Sequence, residues 1–278
     1  MNQSDSSERS RVMNVEAGGR IWQADLDLAI AMADKADQVT MSYFMSSDLK
    51  VERKADNTPV TQADKEAEAV IRRVLAQARP DDTIYAEELG KQESNGRRWI
   101  IDPIDGTKNY VRGVPVWATL IGLEADHQMV VGAVSAPMLG TRWYAAQGQG
   151  AYMARQGEEP RAIRVSKVDR MEDASMSISS LTGWKAIERR EQLLDLTDRI
   201  WRLRGFGDFW QYMLLAQGAI DLAAEPELDL YDMGALVPIV TEAGGSFTDL
   251  AGNPGPWGGN GLASNGLLHK EALEALGD

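Results

Sequence analysis

The sequence contains no cysteine and only two histidines among its 278 residues. Without cysteine the chain can form no disulfide bond and has no thiol for nucleophilic catalysis. A chain without disulfides suits a reducing compartment, so we expect a cytoplasmic location. His127 lies in a predicted turn and His269 lies near the predicted C-terminal helix, which indicates surface positions for both imidazoles.

Long apolar runs and an excess of positive charge are also missing. No stretch of 18 apolar residues occurs, which argues against a membrane-spanning helix. The formal net charge of −13 argues against nucleic acid as a partner, because DNA and RNA are polyanions. Residues 1–20 are rich in Ser, Asn, Glu and Arg and lack the apolar segment of a signal peptide. We therefore expect a disordered N-terminal tail there.

The rest of the composition is that of an ordinary globular protein, with 44% hydrophobic and 26% charged residues. Helical and strand patterns are mixed without a regular strand–helix–strand series, which predicts a layered α+β fold. The glycine-rich turn at 148–150 suggests a boundary between two lobes. We expect an N-terminal α+β lobe over residues 21–150 and a C-terminal α/β lobe over residues 151–278.

Three patterns predict particular elements. Residues 117–123 and 129–136 are predicted strands joined by a short polar turn, and hence an antiparallel hairpin. An amphipathic helix is predicted across 184–200. Another helix is predicted at 232–243, where Pro238 requires either a kink or a later true start.

The stretch Trp99–Thr107 reads WIIDPIDGT and is the most informative part of the chain. Its bulky apolar run predicts a buried strand, which ends at Asp102 because Pro103 has no N–H for a sheet ladder. Asp105 and Gly106 then make a turn, and the final threonine offers a hydroxyl. Two carboxylates three residues apart at a strand end can converge on one point, although an ordinary Asp/Pro/Gly turn gives the same pattern.

Asp64, Glu87 and Asp232 also lie at the ends of predicted elements. Each has a structural alternative. Asp64 can complete a capping box with Thr61, Glu87 and Glu88 can form a solvated strand edge, and a lone aspartate before a helix can simply cap it. If these carboxylates instead point into one cleft with Asp102 and Asp105, they raise one another's pKa values. Divalent cations remove that repulsion, and a set of oxygen ligands suits Mg²⁺.

Four segments, in this order, resemble the inositol monophosphatase superfamily, which comprises Mg-dependent phosphatases of small phosphorylated metabolites. They are 58–64 (TPVTQAD), 86–88 (AEE), 99–107 (WIIDPIDGT) and 231–245. The resemblance runs from about residue 24 to the end of the chain. It implies a layered α-β-α-β-α fold with two lobes around a metal cleft, and a homodimer. Ala86 and Tyr231 replace the usual glycine and tryptophan, and neither change removes a ligand.

The resemblance also implies a metal ligand set, with two or three Mg²⁺ ions per active site. One ion would be held by Glu87, Asp102 and the backbone carbonyl of Ile104. A second would be held by Asp102, Asp105 and Asp232.

By the same resemblance, Asp64 and Thr107 would orient an attacking, metal-activated water, while N–H groups around Gly106 and Thr107 would receive phosphate oxygens. Other phosphatase chemistries need residues that this chain lacks. Cysteine is absent, neither histidine lies in an Arg-His-Gly type of site, and the Asp-x-Asp at 25–27 lies on a predicted helix instead of after a strand.

Within the superfamily, the segments 109–117 and 204–208 look most like the histidinol-phosphate phosphatases of histidine biosynthesis. This likeness implies hydrolysis of L-histidinol phosphate to L-histidinol and phosphate. It implies that Arg204, Asp208 and Glu225 contact the substrate. Asp208 can equally be a plain helix N-cap.

Two other functions stay open on the sequence alone. The chain could act on inositol 1-phosphate or another small phosphorylated metabolite, or it could be a non-catalytic regulator that binds metal and phosphate. The presence of Asp64 and Thr107 counts against a regulator, since a protein that only binds has no use for a pair that activates water.

Overall fold

The computed structural model describes residues 21–53, 58–88, 90 and 96–277. The tail expected at residues 1–20 lies outside the described residues. No helix within the described ranges is long and apolar enough to cross a membrane.

The described chain contains helices, strands and two short 3-10 turns at 137–139 and 171–173. The helices are α1 (Gln23–Tyr43), α2 (Gln62–Ala78), α3 (Thr107–Val111), α4 (Thr182–Ala186), α5 (Arg190–Arg199), α6 (Asp208–Ala216), α7 (Leu230–Met233), α8 (Leu236–Glu242) and α9 (His269–Leu276). The strands are β1 (Val51–Arg53), β2 (Pro59–Thr61), β3 (Thr83–Ala86), β4 (Arg97–Asp105), β5 (Ala118–Ala125), β6 (Gln128–Ala136), β7 (Thr141–Ala146), β8 (Gly150–Arg155), β9 (Arg161–Ile163), β10 (Ser175–Ser177), β11 (Arg202–Arg204), β12 (Leu222–Glu225), β13 (Ser246–Thr248) and β14 (Gly261–Ser264).

The larger sheet has seven strands in the order β3-β4-β5-β6-β7-β8-β9. β3 and β4 are parallel, and the later neighbours are antiparallel. β5 and β6 form the predicted hairpin, which is confirmed. The sheet continues through β8 and β9, so it extends past the lobe boundary predicted at residue 150.

Helices α1 and α2 cover one face of this sheet. Their buried side chains recur at helical spacing, as at Ala29, Ala33 and Ile71, and they share one apolar core with Trp99 and Ile101 of β4. Small residues on α1 let the helix lie close to the strands. The N-terminal layer is therefore a helix pair packed on the β-sheet.

Helices α6, α7 and α8 cover the opposite face, and glycines allow an unusually close approach there. A Cβ atom at Gly132 of β6 would lie 2.2 Å from the carbonyl oxygen of Ala235. A Cβ atom at Gly122 of β5 would lie 2.7 Å from the backbone of Gly234. Because the α7–α8 corner rests directly on the sheet, it fixes Asp232 near the end of β4.

The helix predicted at 232–243 consists of α7 and α8. Pro238 lies in the first turn of α8, where its missing N–H costs no hydrogen bond. Of the two alternatives predicted for Pro238, a kink or a later start of the helix, the later start is confirmed, because α8 begins at Leu236.

The smaller sheet has five strands in the order β11-β10-β12-β14-β13, with β14 antiparallel to both of its neighbours. One face packs on α6 and α8, and the other is covered by α4, α5 and α9. The single helix predicted across 184–200 is wrong, because α4 ends at Ala186 and α5 begins at Arg190. Glu188 between them has a left-handed φ of 59°, which no helix can continue through.

These layers alternate as helices, sheet, helices, sheet and helices, which confirms the α-β-α-β-α fold. The carboxyl end of β4 and the start of α6 meet between the two sheets.

Candidate active site

A cleft of about 810 Å³ opens where the two sheets meet. Most of the charged side chains that line it are acidic, which makes the cleft strongly negative. These acidic residues are Glu87, Asp102, Asp105, Asp208, Glu225, Glu227, Asp229 and Asp232. Ile104, Gly106 and Thr107 line the same cleft.

The end of β4 positions the first two aspartates. Asp102 pairs with Leu120 across the sheet, and the register then shifts before Asp105 pairs with Ala118. The N–H of Ile104 donates to Oδ1 of Asp102 at 3.0 Å, which stabilises the irregular turn. A shift of register re-aims side chains at the end of a strand, and here both carboxylates line the cleft.

Gly106 makes the turn that follows. Its φ of 81° lies in the left-handed region, and an added Cβ would meet the carbonyl oxygen of Val116 at 3.1 Å and Oδ2 of Asp208 at 3.3 Å. A side chain at this position would therefore press into the wall that Asp208 forms. The glycine keeps the backbone open to the cleft.

Asp64 and Thr107 meet through their side chains. Oδ2 of Asp64 accepts hydrogen bonds from the N–H of Thr61 at 2.8 Å and from its hydroxyl at 2.5 Å, which confirms the capping box. Oδ1 of Asp64 lies 3.4 Å from Oγ1 of Thr107, which lies 2.9 Å from the carbonyl oxygen of Ile104. One oxygen thus caps α2 while the other faces Thr107. Burial raises the pKa of Asp64 to about 6.

Three carboxylates form a compact cluster. Oxygen atoms of Asp102, Asp105 and Asp232 all lie within 4.8 Å of one another. Among the described residues, no Lys or Arg forms an ion pair with any of the three. Burial raises the pKa values of Asp102 and Asp105 well above their usual range, and the negative charges of neighbouring carboxylates add to the effect.

Asp232 reaches this cluster from α7. The N–H of Asp229 donates to Oδ2 of Asp232 at 2.7 Å, in a reciprocal capping box in which Asp229 is the N-cap. Asp232 therefore takes part in capping and also reaches the other two aspartates. Burial, together with the charge of Glu87, raises the pKa of Asp232 to about 7.

This cluster fits divalent cations. Its donors are oxygen atoms, and no cationic side chain within the described chain forms an ion pair with it. Burial first, and then repulsion between the carboxylates, raises the pKa values of Asp102 and Asp105, and a bound cation would offset both effects. Glu87 follows β3, lines the same cleft, and raises the pKa of Asp102 through its charge.

Asp208 enters the cleft from the C-terminal half of the chain. Gly207 holds the N-cap position of α6, so Asp208 is the first helical residue and not the N-cap. Oδ2 of Asp208 accepts a hydrogen bond from Nδ2 of Asn109 at 3.2 Å. The next N–H, that of Phe209, donates to Oδ2 of Asp105 at 2.8 Å. The start of α6 is therefore tied directly to the turn that follows β4.

Glu225 ends β12 and is buried in the cleft wall. Its Oε1 accepts hydrogen bonds from the N–H of Ser179 at 2.5 Å and from Nε2 of Gln211 at 2.7 Å. Burial raises the pKa of Glu225, and these hydrogen bonds oppose that rise. No sequence motif pointed to Ser179 or Gln211, since both lie far from Glu225 along the chain.

Arg204 is the one expected substrate contact that does not line the cleft. It is exposed at the end of β11, and its Nη1 lies 2.7 Å from the carbonyl oxygen of Leu203.

Known proteins are similar to this chain in sequence and in fold. Histidinol-phosphatase of Streptomyces coelicolor is 55% identical over 256 residues, covering 91% of this chain and 96% of that protein. Histidinol-phosphatase of Mycobacterium tuberculosis is 50% identical over 253 residues, covering 91% of this chain and 97% of that protein. Among solved structures, the IMPase of Thermotoga maritima has a TM-score of 0.80 at 31% identity and covers 91% of this chain and 97% of that one.

The sequence model of the inositol monophosphatase family matches residues 22–277, which is almost the whole described chain. Its span includes all the carboxylates that line the cleft. The chain belongs to the inositol monophosphatase family.

Proposed function

We propose that the chain is a Mg²⁺-dependent phosphomonoesterase that hydrolyses L-histidinol phosphate to L-histidinol and phosphate. The observation that carries this proposal is the 55% and 50% identity to two proteins named histidinol-phosphatase, over 96% and 97% of their lengths. Relatives named for inositol 1-phosphate or fructose 1,6-bisphosphate are more distant, at 31% identity for that of Thermotoga maritima.

We propose that the carboxylate cluster at one end of the cleft holds two or three Mg²⁺ ions. Glu87, Asp102 and the carbonyl of Ile104 would hold one ion, and Asp102, Asp105 and Asp232 another. When bound, the cations supply the positive charge that draws a phosphate into an acidic cleft and that acidifies the attacking water. The fit of the donor set supports this assignment.

Asp64 and Thr107 would then orient the water. The hydroxyl of Thr107 carries one proton, and two acceptors lie near enough to take it, Oδ1 of Asp64 and the carbonyl oxygen of Ile104. A lone pair of Oγ1 is left to accept a hydrogen bond from water. Such a bond fixes the water's orientation and assists removal of its proton in the transition state. N–H groups around Gly106 would receive phosphate oxygens.

At the other end of the cleft, Asp208 and Glu225 would bind the organic part of the substrate. Histidinol phosphate carries an α-ammonium group and an imidazole that is partly protonated near neutral pH. Inositol phosphate offers only neutral hydroxyls away from its phosphate. Two carboxylates on one wall favour the cationic substrate, because charge-assisted hydrogen bonds are the stronger ones.

A phosphate-release panel tests this function. The substrates are L-histidinol phosphate, inositol 1-phosphate, fructose 1,6-bisphosphate and adenosine 3′,5′-bisphosphate, each with Mg²⁺ and with EDTA. We expect the highest kcat/KM for L-histidinol phosphate and loss of activity in EDTA. Preference for inositol 1-phosphate would move the chain to the second enzymatic function. Metal and phosphate binding without turnover of any substrate would indicate the regulator.

We further propose that the protein is a homodimer, as the family resemblance implies, and that it acts in the cytoplasm, which suits a chain without cysteine. Light scattering coupled to size-exclusion chromatography tests the first statement: a mass about twice the 30.5 kDa of one chain supports it, and a mass near that of one chain opposes it. Cell fractionation tests the second.

A further inference from the structure

The side-chain amide of Asn109 joins two parts of the cleft wall that lie far apart in the sequence. Asn109 is on α3, two residues after Thr107, and it lines the cleft. Its Nδ2 donates to the carbonyl oxygen of Val116 at 2.9 Å and to Oδ2 of Asp208 at 3.2 Å. An amide NH2 group has two hydrogen atoms, and these two bonds use both of them. The amide therefore bridges the segment after β4 and the start of α6.

The neighbours of this amide determine its orientation. Both groups on the Nδ2 side are acceptors, so exchanging Oδ1 and Nδ2 would place an oxygen against a carbonyl and a carboxylate. Gly106 permits the arrangement, because a Cβ atom there would lie 3.1 Å from the oxygen of Val116 and 3.3 Å from Oδ2 of Asp208. The two acceptor oxygens thus lie near the same point beside Gly106, and Asn109 supplies the donor that they share.

The backbone of Asp208 is strained, so contacts with its surroundings must hold it. Its φ of 43° lies in the left-handed region, which a residue with a Cβ atom enters at a cost in free energy. Its N–H donates to Oγ of Ser179 at 3.1 Å, which fixes the backbone. Within the part of the chain that the structure describes, the amide of Asn109 is the one hydrogen-bond donor to the Asp208 carboxylate.

The short helix α3 therefore serves both ends of the cleft. Thr107 begins this helix, and its hydroxyl faces Asp64 and the carbonyl of Ile104. Asn109, within the same turn, holds the carboxylate of Asp208. Because both groups stand on one turn of helix, the position of Asp208 is fixed relative to the residues proposed to orient the water.

We propose that Asn109 is a positioning residue, which holds the carboxylate of Asp208 toward the organic part of the substrate. This inference rests on the proposed function, in which Asp208 binds that part. Without the amide, the side chain of Asp208 gains rotational freedom, and the substrate must order it on binding. Binding of the organic part then weakens, while the carboxylate cluster that would hold Mg²⁺ is left intact.

Asn109→Ala tests the inference, because it removes both N–H donors of the amide. We expect KM for L-histidinol phosphate to rise roughly 3- to 10-fold, as for the loss of one hydrogen bond, with kcat changed less than about twofold. The inhibition constant for L-histidinol should rise by a similar factor. The inhibition constant for inorganic phosphate and the dissociation constant for Mg²⁺, measured by calorimetry, should stay within about twofold.

A double-mutant cycle shows whether Asn109 acts through Asp208. Asp208→Gly removes the carboxylate and suits the left-handed backbone, since glycine adopts positive φ without strain. In this background, Asn109→Ala should raise KM by less than about twofold further, because the group that it positions is already gone.

Asn253→Ala is the matched control. Its Nδ2 donates to Oδ2 of Asp249 at 2.8 Å, so the variant also removes an amide–carboxylate hydrogen bond. This pair lies in the loop between β13 and β14 and does not line the cleft. We expect a lower unfolding temperature and a wild-type KM for Asn253→Ala, which separates a loss of stability from a loss of positioning.

Unchanged KM for Asn109→Ala, equal weakening of L-histidinol and phosphate, or the same rise in KM with and without Asp208→Gly would each overturn the inference. If Asp208→Gly alone leaves KM unchanged, the role of Asp208 in the proposed function is wrong, and this inference falls with it. A wild-type enzyme that prefers another substrate would overturn the proposed function. The same cycle, measured on that substrate, then decides whether Asn109 acts through Asp208.

Discussion

The two ends of the cleft are both acidic, and neutral N–H groups donate to the carboxylates at each end, but the carboxylates differ in how closely they are crowded. At one end, Asp102, Asp105 and Asp232 crowd together, and no cationic side chain of the described chain pairs with them. At the other end, Asp208 and Glu225 each accept a hydrogen bond from a neutral N–H group, and Glu225 accepts two. The crowded end favours cations, while Asp208 and Glu225 are the carboxylates that we propose for binding the organic part of the substrate.

The difference shows how one negative cleft can bind an anionic phosphate and a cationic amine. Crowded carboxylates raise one another's pKa values and are stabilised when a cation enters. Asp208 and Glu225 lie outside the compact cluster, and neutral donors hold each side chain in place.

The largest effect is expected from Asp102→Asn. Asp102 is buried at the centre of the crowded end, and the proposed ligand set uses it for two cations. Loss of one shared carboxylate should lower kcat on the order of 10³-fold or more, as with removal of a main electrostatic stabiliser. Steady-state kinetics at saturating Mg²⁺ measures it. Asp198→Asn, exposed on α5, is the control. Near wild-type turnover by Asp102→Asn would contradict the proposed ligand set.

Thr107→Ala should have the second largest effect. Its hydroxyl faces Asp64 and the Ile104 carbonyl, so its loss should disorder the attacking water and leave the carboxylate cluster intact. We expect kcat to fall about 10²-fold while Mg²⁺ binding, measured by calorimetry, stays nearly normal. A variant that loses metal and keeps its saturated rate would show that Thr107 supports the metal site instead.

At the far end, Glu225→Gln and Asp208→Asn should raise KM for L-histidinol phosphate about tenfold, because each removes one charge from the wall that binds the organic part. The amide that Glu225→Gln introduces keeps an oxygen for the donors of Ser179 and Gln211, so the wall itself should hold. Hydrolysis of a small neutral phosphate ester serves as the control and should change far less. Equal damage to both substrates would argue that these carboxylates only support the fold.

The smallest effect concerns stability and pH. Burial raises the pKa of Asp64 to about 6 and that of Asp232 to about 7, against about 4 in an unfolded chain. Between about pH 4 and pH 7 the metal-free folded state thus binds more protons than the unfolded state, so its stability falls as pH rises through this window. Mg²⁺ binds the deprotonated carboxylates and should offset that loss.

Thermal unfolding with and without Mg²⁺ checks the direction of this pH dependence. The rise in unfolding temperature caused by Mg²⁺ should be larger at about pH 8 than at about pH 5.5, and Asp102→Asn should show little of it at either pH. The same rise at both pH values would mean that the raised pKa values do not control cation binding.

The two ends also differ in how far the sequence could predict them. Asp102, Asp105 and Thr107 stand within one short stretch, and Asp64 stands in a recognisable capping box, so local patterns and the family resemblance pointed to them. Ser179 and Gln211 carry no local signal. The fold brings both to Glu225, over separations of 46 and 14 residues along the chain.

The elements of the fold also differ in how far the sequence could predict them. The hairpin of β5 and β6 follows from alternation and a turn, and the layered α+β fold was predicted correctly. The break between α4 and α5 at Glu188 was not predicted, because residues 187–189 contain neither glycine nor proline to signal it. The substrate contact expected of Arg204 stays a prediction, and its side chain does not line the cleft.

We propose that cations at one end of the cleft bind the phosphate, while carboxylates at the other end select a nitrogen-rich organic group. A competition assay tests it most directly, with equal concentrations of L-histidinol phosphate and inositol 1-phosphate, Mg²⁺, and quantification of L-histidinol and inositol over time. The account predicts at least about tenfold faster release of L-histidinol, the factor that one charge-assisted hydrogen bond supplies. Equal release of the two products, or faster release of inositol, would contradict it.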